Sequence, residues 1–539
     1  MRRWNGWGDD TIAMTLTEGA KAMLASQLGA GHRAPDALRD DLLSQVPASR
    51  LQGAHPLIQT DASTRFSMAF GESYGDWIRK RFGALTPVPD GVAFVESGEH
   101  VRTLLDLAQQ HDWVVIPFAG GTSVSGHLDC PLSERPVLSI NLTRLCQLLH
   151  LDTKSQLATL GAGTPGPQIE ALLRAQGYTL GHFPQSFEYS TVGGWVVTRS
   201  SGQQSLRYGR IEQLFAGGRM ETPAGRLDIP TLPAASAGPD LRELVLGSEG
   251  RFGILTEACV RVSPLPAHES FHALFLPDWD AAEAAVRELV QRRLPLSMMR
   301  LSNPVETRTQ LAMAGHANMI GWLERYLALR GCRDEKCLLM LGVSSDAPTA
   351  RHALKQARLT LKAHGAAYIG TAMGSKWAAH RFKGPYLRNT LWEQGYSVDT
   401  IETAVDWPRV KPLMLAMEQT ARDVFAPYGE RVHAFSHLSH VYPQGSSIYA
   451  QFVWANVPGG FPAHVERWQK LKAAVAKTIA DHGGTVSHQH GVGRDHAAQL
   501  HREKGPLGMA TLAELCRHFD PKKIMNPGKL LQDGDPWAP

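Results

Sequence analysis

Cysteine is scarce in this sequence, with six in 539 residues. That is too few for a disulfide scaffold. The nearest pair, Cys332 and Cys337, has no second Cys or His pair at metal-ligand spacing, so free thiols and no metal site are expected. Neither charge sign is in excess: 55 Lys and Arg against 51 Asp and Glu leave a net charge of +4. The basic residues are scattered rather than gathered in a stripe, so nothing supports a nucleic-acid role. No apolar run reaches the roughly 18 residues that a membrane-spanning helix needs. The start, Met1-Arg2-Arg3-Trp4-Asn5-Gly6-Trp7-Gly8, lacks the apolar stretch of a signal peptide, and a cytoplasmic protein is the default expectation. Low-complexity tracts and solenoid-period repeats are also missing. What remains is ordinary globular composition, 43% hydrophobic and 20% charged, in a chain too long for one core. With 23 histidines, a lone His means little.

The order of elements suggests an α+β protein. Residues 1 to 85 mix short amphipathic helices with Gly and Pro. Val92–Val95 reads as a strand, and Val101, Leu104, Leu105 and Ala108 line one helix face. Trp113–Pro117 is a strand that runs into a glycine turn. Strands follow at Val137–Ile140 and Leu157–Gly161, then a helix at Pro167–Gln176 closed by Gly177. A strand pair is expected across Leu244–Val262, bracketing a third glycine bend. Ser263-Pro264-Leu265-Pro266 breaks the pattern and marks a domain boundary. Beyond it come a strand at Phe271–Leu276 and a helix at Asp280–Arg292, with Asp280 and Glu283 at capping-box spacing. A second strand–helix pair spans Cys337–Val343 and Pro348–His364. A strong helix over 462–482 carries Val465, Trp468, Leu471, Val475 and Ile479 on one face and stops at Gly483.

Three glycine bends carry the chemical signal. The first, Pro117-Phe118-Ala119-Gly120-Gly121-Thr122-Ser123, can turn several N–H groups toward one anion, and its hydroxyls add donors. It lacks the Lys of a Walker A loop and is not Gly-x-Gly-x-x-Gly, so neither a P-loop nor a Rossmann fingerprint fits. Gly193-Gly194 and the 247–253 bend supply the others. The three lie within 140 residues in sequence. Amides from all three are expected to converge on the diphosphate of one dinucleotide.

Gly181-His182-Phe183-Pro184-Gln185-Ser186-Phe187-Glu188-Tyr189-Ser190-Thr191-Val192-Gly193-Gly194-Trp195 resembles the FAD segment of alkyldihydroxyacetonephosphate synthases, also called alkylglycerone-phosphate synthases, within the vanillyl-alcohol-oxidase flavoprotein superfamily. Trp4-Asn5-Gly6-Trp7-Gly8 is similar to that family too, and much more selectively. So are 117–126, Gly238-Pro239-Asp240, Gly247-Ser248-Glu249-Gly250, Ser297-Met298-Met299-Arg300-Leu301 and Ser487-His488-Gln489-His490-Gly491-Val492-Gly493. The resemblance implies an α+β fold: a helical N-terminal extension (1–85), a two-part PCMH-type FAD-binding domain (86–265), an α+β cap domain (266–480) and a C-terminal segment returning to the active site (481–539). It implies FAD, held non-covalently, against 117–123, Gln185-Ser186-Phe187-Glu188-Tyr189-Ser190-Thr191, Thr198-Arg199-Ser200-Ser201 and Glu249-Gly250-Arg251-Phe252-Gly253-Ile254-Leu255. Arg251 stands where the family usually has a small residue.

The implied reaction exchanges the acyl chain of acyl-dihydroxyacetone phosphate for a fatty alcohol, without net oxidation, in ether-lipid synthesis. The flavin ring acts there as an electrophile and electron sink. The resemblance carries roles onto Tyr449 (proton acceptor and donor), Arg388 (phosphate), Arg300 (a second active-site arginine), and His488 and His490, the outer two of three consecutive histidines in the family. The middle one is Gln489 here, and an amide cannot exchange a proton near neutral pH. Tyr449 would need a neighbouring positive charge to lower its phenol. Two other readings stand beside this one: a FAD-dependent 2-hydroxy-acid dehydrogenase or oxidase, whose His-x-His-Gly-Val-Gly loop is similar, and a flavin-binding protein without chemistry. The partner expected is a small phosphate- or carboxylate-bearing molecule, with a lipid substrate, a peripheral membrane contact and a homodimer left open.

Overall fold

The computed structural model describes residues 1–314 and 317–532. Three main sheets organise it. In the first, Ile58–Gln59, Gly91–Phe94, Val137–Asn141 and Val114–Phe118 lie in that order, the last three parallel. The helix Gly98–His111 is capped by Ser97 and packs Val101, Leu104, Leu105 and Ala108 against it. The second sheet is antiparallel, in the order Leu148–Asp152, Leu157–Gly161, Ile254–Arg261, Phe215–Thr222 and Gly225–Ile229.

The third sheet has seven antiparallel strands in the order Ala367–Gly370, His268–Leu276, Cys337–Ser345, Met298–Ser302, Val432–Leu438, Gly445–Ala455 and Tyr396–Asp406. Four helices, Trp279–Gln291, Ala347–Ala363, Trp407–Phe425 and Gly460–Asp481, contribute to a single hydrophobic core with this sheet. Residues beyond 481 then run back to the first sheet, where Met525 bridges Val115.

Two local expectations need correction. Leu244 does not start a strand: Arg242–Val245 forms a single helical turn, and the strand begins only at Ile254. The intervening bend needs left-handed backbone at Gly247, Glu249 and Gly250, which no strand permits. The helix near 280 is capped by Asp278, whose carboxylate accepts from the Ala281 amide, rather than by Asp280. Glu283 instead accepts from the Trp279 indole at 2.8 Å. All six cysteines are free thiols. Among the described residues, no helix is long and apolar enough to cross a membrane.

Candidate active site

The three glycine bends meet. A Cβ on Gly120 would lie 2.2 Å from Tyr189 O, and one on Gly250 would lie 3.0 Å from Pro117 Cγ. The Glu249 amide donates to Val197 O at 3.0 Å. The first bend keeps a run of amides free. Among the described residues, the N–H groups of Ala119 through Val124 have no protein acceptor. Arg2 takes the Gly120 and Gly121 carbonyls at 2.7 and 3.0 Å. In a trans peptide the N–H points opposite its carbonyl, so the amides of Gly121 and Thr122 face away from Arg2. This nest fits a diphosphate. The expectation of three amide bends is corrected at the second: Val192 and Gly193 donate to Thr164 O and Ala162 O, and Gly194 to Thr191 Oγ1. Gly193 serves close packing, since a Cβ there would meet Ala162 O at 2.7 Å.

Arg251 turns away from the bends. Its guanidinium donates to Met525 O and Asn526 O at 3.0 and 3.2 Å, tying down the returning C-terminal segment. The N-terminal Trp-Asn-Gly-Trp-Gly is a brace. Trp7 and Asn389 exchange two hydrogen bonds at 3.0 and 2.9 Å, and Trp7 packs edge-on against Tyr189. Gly6 and Gly8 leave no room for side chains beside Asn389 and Tyr386. The helix Leu387–Glu393, which carries Arg388, is thereby held near the first bend.

Strand register in the third sheet lines up the other candidates. His437 pairs with Tyr449, and Tyr449 with Glu402. One strand further, Ser302 pairs with His437, and Arg300 is two residues from it on the same face. Arg300 Nη2 reaches Glu306 Oε1 at 2.6 Å and His437 Nδ1 at 3.1 Å. Burial would raise the Glu306 carboxyl, but Arg300 and His437 outweigh it and bring it down to about 2. The His437 ring stacks on Tyr449 with centroids 5.0 Å apart. The Tyr449 hydroxyl donates to Thr400 Oγ1 at 3.2 Å. Burial pushes this phenol up to about 12, with Glu402 and Asp399 adding to the rise; Arg300 opposes it more weakly. The resting phenol is therefore protonated at neutral pH, and Arg300 does not make it acidic.

The 487–493 loop sits on this row between two carboxylates. Glu402 accepts from Ser487 Oγ at 2.8 Å and from the amides of His488, Gln489 and His490 at 3.0, 3.1 and 3.2 Å. Glu249 accepts from Val492 N and Gly493 N at 2.6 and 2.7 Å. His127, after the first bend, bridges Ser123 Oγ at 2.6 Å and Glu249 at 3.0 Å. Gln489 Oε1 is buried without a partner.

The structure thus brings Arg300, Tyr449, His488, Gln489 and His490 together. Arg388 lies apart from this row, its guanidinium over the Trp77 ring at 4.3 Å and donating to Glu72 O at 2.8 Å. Its Nε and Nη2 are buried without a protein partner, and the Glu72 amide donates to Ser123 O at 2.7 Å, which places this arginine beside the first bend. Sequence reasoning did not single out His437, Glu402, Glu306, Arg210, Tyr442 or His440. The Val432–Leu438 strand and its pairing with 445–455 would have been the signal, but three histidines within residues 433–440 read as noise among 23.

A family model for a FAD binding domain matches residues 89–228, and one for the C-terminal domain of FAD linked oxidases matches residues 265–530. Alkyldihydroxyacetonephosphate synthase of Dictyostelium discoideum is 29% identical, over 98% of this chain and 93% of that protein. The enzyme of the same name from Trypanosoma brucei brucei is 28% identical, over 98% and 92%. A solved structure of alkyldihydroxyacetonephosphate synthase superposes with a TM-score of 0.83 at 26% identity, covering 98% of both chains. FAD is the cofactor that these matches support. The chain thus carries a FAD binding domain followed by a C-terminal domain of FAD linked oxidases, and it is similar to alkyldihydroxyacetonephosphate synthases over nearly its whole length.

Proposed function

We propose that this protein is an alkyldihydroxyacetonephosphate synthase: it exchanges the acyl chain of acyl-dihydroxyacetone phosphate for a fatty alcohol. The observation that carries the reading is the row Arg300, His437, Tyr449, Glu402 on one face of the third sheet, together with the Arg388 guanidinium beside the first bend, whose Nε and Nη2 have no protein partner. When bound, FAD supplies an electrophilic ring and electron sink. The amides of 119–124 would hold its diphosphate. The Nε and Nη2 of Arg388 are free to take two phosphate oxygens of the substrate, a task suited to a planar fork. Tyr449, protonated at rest, is placed to give a proton to a departing oxygen and take one back. Arg300, pinned between Glu306 and His437, fixes the ring against which Tyr449 stacks.

Binding of FAD is non-covalent in this reading: His127 is engaged on both ring nitrogens by Ser123 and Glu249. A peripheral lipid contact is supported by the helix Ala317–Leu329, where Met319, Trp322, Tyr326 and Leu329 form one exposed row, with Arg325 over the Trp322 ring. The test is an assay of flavin-loaded protein with acyl-dihydroxyacetone phosphate and a labelled long-chain alcohol, with no electron acceptor present. Label in the ether product is expected. Flavin bleaching by 2-hydroxy acids under anaerobic conditions, without exchange, would replace this reading with the dehydrogenase one.

A further inference from the structure

The two histidines flanking Gln489 have different surroundings. His488 Nε2 has Arg210 Nη1 at 2.5 Å and the Tyr442 hydroxyl at 2.6 Å. A guanidinium only donates, so Nε2 is an acceptor and its lone pair is taken. The ring proton then sits on Nδ1, toward Glu402 Oε2 at 3.6 Å. Arg210 also holds the His488 carbonyl at 2.7 Å. Protonating this ring would set a second cation against Arg210 in a buried place, and burial and Arg210 together hold its pKa well below the usual value. His488 is an anchor.

His490 is free by comparison. Among the described residues, neither ring nitrogen has a protein hydrogen-bond partner, and its ring stands edge-on to Tyr449 with centroids 5.8 Å apart at 81°. Its Nδ1 lies 3.7 Å from Glu402 Oε1, the carboxylate that also gathers the amides of the turn. The charged and titratable groups around it are Glu402 and Asp399 on the strand Tyr396–Asp406, Lys472 on the helix Gly460–Asp481, His127 after the first bend, Tyr449, His488 and His496. Burial lowers its pKa first, and Lys472 adds to this; the two carboxylates oppose both.

We propose that His490, and not His488, is the imidazole that receives the hydroxyl proton of the alcohol, and that Glu402 is the positioning residue that holds it against Tyr449. This rests on the exchange reaction proposed above. The alcohol O–H bond breaks, its proton passes to His490, and the oxygen keeps the electron pair. One imidazole, braced by a carboxylate from the next strand, thereby does the proton work that Gln489 cannot.

Four variants of the flavin-loaded protein test it: Glu402→Gln, Glu402→Asp, His490→Asn and His488→Asn. For each, flavin content, melting temperature, kcat and KM for exchange are measured. So is the pH dependence of His490 carbethoxylation by diethyl pyrocarbonate, followed by peptide mass spectrometry. That reagent reacts with the neutral ring. Losing the carboxylate charge disfavours the imidazolium, so Glu402→Gln moves the midpoint of His490 modification to lower pH, while Glu402→Asp keeps it near the wild-type position. Exchange falls about 10²-fold or more in His490→Asn and about tenfold in Glu402→Gln, chiefly in kcat, and the loss in His488→Asn is smaller than in His490→Asn. An unmoved midpoint in Glu402→Gln with flavin fully bound would overturn the Glu402 role. His488→Asn losing as much as His490→Asn would overturn the choice of imidazole. If wild-type protein performs no exchange yet the midpoint still moves, the reaction assignment fails while the carboxylate–imidazole coupling stands.

Discussion

At the scale of single residues, the site works by placing ionisable groups where burial and neighbours set their state. Tyr449 is the simplest case. Its phenol, pushed up to about 12, is a proton carrier only if its hydroxyl is retained. Tyr449→Phe keeps the ring packing on His437, so flavin content and melting should be unchanged while exchange drops roughly 10²–10⁴-fold, the usual worth of a positioned acid or base. Glu306 gives a pH signature. Its carboxyl falls from an ordinary 4.5 to about 2 in the folded chain, so its contribution to stability is present above pH 4.5 and is lost as pH drops through about 2. Glu306→Gln should therefore cost a few kcal/mol at neutral pH, on the order of the ~3–5 kcal/mol of breaking a buried pair. That deficit should shrink steadily below pH 4.5 in denaturant titrations of variant and wild type.

At the scale of elements, close backbone approach does what side chains cannot. The first bend lies so near the 185–191 segment that any Cβ on Gly120 would strike the Tyr189 carbonyl. Gly120→Ala should push these two segments apart and weaken the amide nest. Visible flavin absorbance per protein should fall severalfold, while far-ultraviolet circular dichroism holds. A protein that keeps full flavin after this change would show that the nest is not where the diphosphate sits. The 487–493 loop illustrates the same scale differently. It has no regular structure of its own, and its shape is imposed by Glu402 from one sheet and Glu249 from a bend of another unit. Neither carboxylate is near it in sequence.

At the scale of the whole molecule, both ends of the chain close the site. The N-terminal brace links the first bend, Tyr189 and the helix of Arg388, and Arg251 ties the 520–526 return to the third bend. Removing residues 1–8 should leave the third sheet and its helices folded but loosen the Arg388 helix. The expected result is raised KM for the phosphate-bearing substrate and partial loss of flavin, read by kinetics and absorbance. Unchanged KM and flavin would mean the brace is dispensable.

Periodicity alone pointed to helices at 280–292 and 348–364, to a helix face over Val101–Ala108 and to the strands around the first bend; the helices lie at 279–291, 347–363 and 98–111, because each buries one apolar face and is bounded by Gly, Pro or a capping side chain. The third-sheet strands 432–438 and 445–455 were not read, since their histidines, serines and Gln451 hide the alternation. The amino-acid order by itself determined where the chain can bend tightly, which faces must be buried, and the family to which its motifs point. Only the tertiary structure decided that Arg300, His437, Tyr449 and Glu402 fall in one row, that His488 is occupied and His490 free, and that the amides at Val192 and Gly193 are spent on the protein while those of the first bend stay free. Those outcomes depend on strand register and on hydrogen-bond partners tens to hundreds of residues apart, which local propensity does not encode.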